Sequence, residues 1–169
     1  MTALRYATRA DASAVAALRT AAARAFGPGH YTGDELAHWT RERDPDACDF
    51  DEGVHLVAER DGDSVGWGWV RPERCELSGV AVHPDHARDG VGTRLLERLE
   101  SEAADAGCEA LSVWAALPAV GFYDANGYEC VRRVTLDSGS AALPHVVMRK
   151  HGGVEAGAGR AAQAGSSGE

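Results

Sequence analysis

The segment from Cys75 to Gly107 constrains the fold more than any other part of the chain. CELSGVAV (75–82) reads as a strand, and Pro84 ends it. Further on, Val91, Leu95, Leu99 and Ala103 recur every four residues with Leu96 beside them, which predicts a helix with one apolar stripe over 90–107. Glycines open that helix and Gly107 closes it. The first backbone N–H groups of a helix lack partners and lie at the positive end of its dipole. Glycines there let a diphosphate approach the backbone closely, so Arg88–Thr93 forms a candidate anion cradle. Neither common nucleotide motif fits it. A P-loop needs Lys-Ser/Thr after its second glycine, where this chain has Thr93-Arg94. A dinucleotide fingerprint needs a third glycine where Leu95 stands. A glycine-softened cap without a ligand also satisfies these residues taken alone.

Strand and helix signals alternate through the rest of the chain. LRYAT is a short strand candidate, and Asp11 is placed to cap an alanine-rich helix that runs to Phe26. Thr32–Glu35 fits a capping box for a second helix over 34–43. VHLVAER (54–60) and SVGWGWVRP (64–72) flank Asp61-Gly62 as a hairpin. ALSVWA (110–115) is a strand, PAVGFYDAN (118–126) a short helix, and YECVRRVTL with LPHVVMRK an antiparallel pair. The expected fold is α/β, one domain over 1–150 with a mixed sheet of about seven strands and four helices. Residues 151–169 are rich in Gly, Ala and Ser and carry too little apolar surface to offset their ordering entropy, which predicts a disordered tail.

Composition excludes several classes of function. No apolar run reaches membrane-spanning length, and the first residues carry no export signal, which points to a soluble cytoplasmic protein. A net charge of −9 argues against a nucleic-acid partner. Cys48, Cys75, Cys108 and Cys130 are widely spaced, so four reduced thiols and no metal site are expected. Nothing in the sequence decides between a monomer and a homodimer.

VAVHPDHARDGVGTRLL closely resembles the acetyl-CoA motif of the GNAT N-acetyltransferases, and GFYDANGYECV (121–131) resembles their second hallmark. HYTGDELAHWT (30–40) is similar to a Tyr-Thr-x-Glu…Trp segment of small bacterial and archaeal members. Two departures are Ala87, where Gln or Arg is usual, and Ala116, where many members have Asn. The resemblance implies acetyl-CoA as co-substrate and acetylation of an amine. It places Val80 and Val82 along the pantetheine arm, and Arg88, Asp89, Gly90, Val91, Gly92 and Thr93 around the diphosphate. It makes Tyr123 the acid for the leaving thiolate and Glu76 a base or water relay. Tyr31, Trp39 and Trp67 would bracket a small-molecule amine, and the acidic residues at 44–52 would attract its charge. Protein or peptide N-acetylation and a silent acyl-CoA sensor are the rival readings.

Overall fold

The computed structural model describes residues 2–137, 139 and 141–152. Its strands are β1 (Ala3–Tyr6), β2 (Val54–Arg60), β3 (Asp63–Arg71), β4 (Glu76–Val82), β5 (Ala110–Ala116), β6 (Glu129–Asp137) and β7 (Ala142–His151). They form one sheet in the order β1-β2-β3-β4-β5-β7-β6. Only the β4–β5 pairing is parallel; the others are antiparallel. The helices are α1 (Ala12–Phe26), α2 (Gly33–Trp39), α3 (Val91–Asp105) and α4 (Val120–Ala125). The predicted tail lies outside the described residues from 153 onward.

Alternation along the strands explains how the two faces are covered. Val57 and Trp67 pack with Val15 and Leu18 of α1, whereas Leu56 and Ala58 pack with Leu95 and Leu99 of α3. The repeat Gly66-Trp67-Gly68-Trp69 follows from this arrangement. A Cβ on Gly66 would sit 2.8 Å from Leu95, and one on Gly68 would sit 2.6 Å from Leu99. The glycines let α3 press onto the sheet while the tryptophans fill the opposite face. Leu95 and Leu99 are fully buried, each contributing about 1.5–3 kcal/mol by the usual area scaling.

Three local expectations change. Thr32 starts α2 without any side-chain cap bond, and α2 ends at Trp39. The capping box forms instead at Thr8, whose hydroxyl accepts from Ala10 N–H while Asp11 accepts from Thr8 N–H. The Asp11 carboxylate is held below its ordinary range, chiefly by hydrogen bonds from Arg5. The third change concerns sulfur. Cys75 and Cys108 are joined as a disulfide with a Cα–Cα distance of 5.6 Å, leaving Cys48 and Cys130 as free thiols. The two bonded cysteines lie just before the adjacent parallel strands β4 and β5, a proximity that 33 residues of separation conceal.

Candidate active site

β4 and β5 pair only at Glu76–Ser112 and Leu77–Val113. Beyond that point β4 stays bonded to β3 as far as Val82, and β5 stays bonded to β7 as far as Ala116. The strands therefore diverge, and each exposes a backbone edge to the gap between them. Such an edge can take an extended ligand as an added strand would. The disulfide and the Ser112 N–H to Cys75 carbonyl bond (3.1 Å) hold the closed end of the gap.

At the open end, β4 leads into the start of α3. Gly90 caps α3 with φ +82°, a left-handed conformation that glycine adopts without steric cost. Arg88 adopts φ +68°, uncommon for a residue with a side chain. On the inner side, a Cβ on Gly92 would lie 3.0 Å from the Phe122 ring of α4. The α3 start is thus open at Gly90 and tightly packed at Gly92.

One cavity of about 810 Å³ runs from this helix start through the gap to α1 and the end of α2. Val80, Val82, Arg88, Gly90, Gly92 and Thr93 line it. Tyr123 lines it as well, with the residue 2% exposed. Burial pushes the Tyr123 hydroxyl well above its ordinary pKa, so it holds its proton throughout the neutral range. On the α1–α2 side the wall includes Arg19, Trp39, Arg43 and His145. The His145 Nδ1 lies 3.1 Å from the Leu143 carbonyl. A carbonyl only accepts, so Nδ1 carries the proton and Nε2 keeps its lone pair. Burial lowers the His145 pKa, which favours the neutral ring.

Other residues named from the sequence fall elsewhere. Glu76 stands at the closed end of the gap, pairs with Arg71 at 3.4 Å and does not line the cavity. Tyr31 is fully buried; its hydroxyl donates to the Pro144 carbonyl (2.8 Å) and accepts from Leu117 N–H (3.1 Å). It braces the wall behind Trp39, whose ring centroid is 5.4 Å away. Trp67 lines the cavity but is 3% exposed, and its indole N–H donates to His55 Nδ1. Asp89 points away to Arg60 at 3.3 Å, and Val91 sits in the core. Within 44–52, Asp51 is paired with Arg9 and Glu52 with Arg71, and no residue of that loop lines the cavity.

His145, Arg19 and Arg43 give no signal in the sequence for a simple reason. Each lies in an ordinary strand, helix or loop with no motif around it, and only the packing of α1, α2 and β7 brings them to one wall. Among the described residues, no group of three or more His, Cys, Asp or Glu is arranged to hold a metal ion, and no helix is long and apolar enough to cross a membrane.

The Acetyltransferase (GNAT) family model matches residues 15–128. The uncharacterized N-acetyltransferase YjcF of Bacillus subtilis (strain 168) is 32% identical over 102 residues, covering 59% of this chain and 71% of that protein. The mycothiol acetyltransferase of Catenulispora acidiphila is 32% identical over 135 residues, 74% of this chain. The alignment spans only 43% of that relative's length. A GCN5-related N-acetyltransferase from Rhodopseudomonas palustris superposes with a TM-score of 0.80 at 27% identity, covering 89% of this chain and 96% of its own. The yncA protein of Salmonella typhimurium, solved with acetyl-CoA, shares the fold at a TM-score of 0.64 and 19% identity, covering 89% and 94% of the two chains. Matched from α1 through α4, the chain belongs to the GNAT family of acetyltransferases.

Proposed function

We propose that this acetyltransferase moves the acetyl group of acetyl-CoA directly onto the amine of a small molecule, with both substrates bound at once. The observation that carries this reading is the single cavity joining the α3 start to the α1–α2 wall through the β4–β5 gap. It gives a donor and an acceptor room in one cavity that Tyr123 lines. No cysteine lines it among the described residues, which favours direct transfer over a thiol-bound acyl intermediate. Two similar folds carry the corresponding ligands: yncA holds acetyl-CoA, and an N-acetyltransferase from Thermoplasma acidophilum holds coenzyme A.

The chain's own groups then take defined roles. The backbone of Arg88–Thr93 holds the diphosphate at the helix start. The open edge of β4, including Val80 and Val82, bonds the pantetheine arm, and the Val80 N–H polarises the thioester carbonyl. The amine nitrogen bonds to the carbonyl carbon while the carbon–sulfur bond breaks. His145 Nε2 takes the proton shed by nitrogen, in place of Glu76. Tyr123 donates its proton to the leaving sulfur. A buried phenolate is costly, so Tyr123 must be reprotonated in close coupling with that transfer. The proton held by His145 restores Tyr123, so the net result is an amide, CoA thiol and both side chains in their starting states.

The test is release of CoA thiol from acetyl-CoA across a panel of small primary amines. At least one amine should accelerate release far above hydrolysis. Tyr123→Phe keeps the ring and removes the hydroxyl, and should lower kcat by about a hundredfold with acetyl-CoA affinity nearly unchanged. If no amine accelerates release while acetyl-CoA still binds, the amine-transfer reading fails.

A further inference from the structure

The acceptor wall is cationic although the chain as a whole is acidic. No Asp or Glu lines the cavity among the described residues, despite a net charge of −9. Two half-buried arginines do line it, Arg19 from α1 and Arg43 just beyond α2. The Arg19 guanidinium sits 4.9 Å above the Trp67 ring, and that of Arg43 sits 4.9 Å above the Trp39 ring. Stacking leaves the edge of a guanidinium, where its N–H groups are, able to bind in the ring plane. Arg5, Arg60, Arg71 and Arg98 each have a carboxylate partner, whereas neither Arg19 nor Arg43 has one within 4.0 Å among the described residues.

One further unmet donor lies next to these arginines. Trp39 Nε1 is buried behind this wall without a hydrogen-bond partner. An indole N–H can only donate, and a guanidinium can only donate. Burial, then the neighbouring Arg19, Arg24 and Arg41, lowers the Arg43 pKa to about 10. That is the behaviour of a cation in want of a counter-charge. Arg43 Nη1 is committed to the Trp39 and Arg41 carbonyls at 2.6 and 2.9 Å, which fixes the guanidinium in place beside the cavity.

Resting on the amine-transfer reading above, we propose that the acceptor also carries a carboxylate and that Arg19 and Arg43 bind it. The planar carboxylate matches the guanidinium fork and supplies the counter-charge that both guanidiniums lack. Polycationic amines are disfavoured, because this wall offers them no counter-charge.

Matched acceptor pairs test the subsite in the full chain: ω-amino carboxylates of increasing length against their carboxamides, in wild type, Arg19→Gln and Arg43→Gln. The wild type should prefer the carboxylate of the best pair by at least about tenfold in kcat/KM. Arg19→Gln should erase most of that preference through KM, with acetyl-CoA affinity retained by calorimetry. Equal use of both members by wild type overturns the proposal. So does an equal loss for both in Arg19→Gln, or a parallel loss of acetyl-CoA affinity. Arg43 also holds loop carbonyls, so its variant is informative only if it melts normally, and Arg19→Gln alone decides the question. A second measurement needs no turnover. Butyrate, but not butyramide, should raise the melting temperature of the CoA-bound wild type and lose that effect in Arg19→Gln. Absence of any butyrate effect sinks the subsite even if amines are acetylated. A butyrate effect without acetylation of any amine would instead sink the transfer reading alone.

Discussion

The Tyr31 hydroxyl donates to the carbonyl of Pro144 at 2.8 Å, joining the α1–α2 connection to β7 across 113 residues of chain. The same oxygen accepts from Leu117 N–H at the end of β5, and the ring is fully buried. One phenol thus fixes the wall around Trp39 relative to the splayed strand. Tyr31→Phe should cost about 1–3 kcal/mol, because it leaves a buried N–H and a carbonyl unpaired. Calorimetric melting should show a Tm drop of several degrees. Acceptor KM should rise more than acetyl-CoA Kd. An unchanged Tm would show that water replaces the hydroxyl and that the brace does not matter.

The two glycines at the α3 start should fail in different ways. Gly90 has open space where a Cβ would project but a left-handed φ, so Gly90→Val strains the backbone of the cradle with little steric clash. A Cβ at position 92 meets Phe122 and, at 3.4 Å, Val82. Gly92→Glu should therefore lose both stability and acetyl-CoA affinity, with the added negative charge opposing a diphosphate at the same place. Gly90→Val should lose affinity with the smaller change in Tm. Calorimetric affinity unchanged in both variants would move the diphosphate away from this helix.

Thiol counting tests the disulfide at the closed end of the gap. The native, unreduced protein should show one fast-reacting thiol, exposed Cys130, with buried Cys48 reacting only on unfolding. Prior reduction should add two more. The closed loop of 33 residues predicts a loss of about 3–4 kcal/mol on reduction. Disulfides are uncommon in reducing compartments, so four titratable thiols without reductant would restore the reduced state expected from spacing alone.

The strand–helix order is legible in the sequence because its signals are local. Val91, Leu95, Leu99 and Ala103 declare α3 by their period, and Gly107 ends it. The helix start is legible for the same reason: a run of glycines carries its own chemistry. What the sequence conceals depends on tertiary placement. Distance along β4 from Val82 suggests a role for Glu76, yet the gap opens only after Leu77, which puts its carboxylate at the closed end. Tyr31 and Trp67 invite a ligand-bracketing role, since aromatic residues in an acceptor segment look alike whether they line a cavity or support its wall. Cys75 and Cys108 meet because parallel neighbours begin at the same end of the sheet, a consequence of topology. Arg19, Arg43 and His145 carry no pattern at all, and three separate elements have to pack before they share a surface.

His145 makes a pH prediction whose sign follows from its surroundings. Burial lowers its pKa below the ordinary 6.5, and the Leu143 carbonyl only partly opposes this. Above that lowered value the ring is neutral and Nε2 can accept a proton. Below it, the base is already charged. Acceptor kcat/KM should therefore fall on the acid side of pH 6.5, and the limb should belong to the free enzyme. His145→Gln retains a polar side chain without a basic nitrogen. It should cut kcat by about 10²–10⁴-fold at neutral pH, and the ratio of wild-type to variant rates should fall as the pH drops, because only the wild type loses its base. The protonation of the amine itself acts equally on both proteins and cancels in that ratio. Stability moves in the same direction: a histidine with a lowered folded pKa stabilises the fold above its unfolded value, and that contribution is lost as pH falls through about 6.5 toward the folded value. His55, also lowered by burial, adds to the same loss, so His145→Gln should remove only part of the acid destabilisation. Should the ratio of rates stay constant from neutral pH to about pH 5, well into the histidine range, the proton acceptor lies elsewhere.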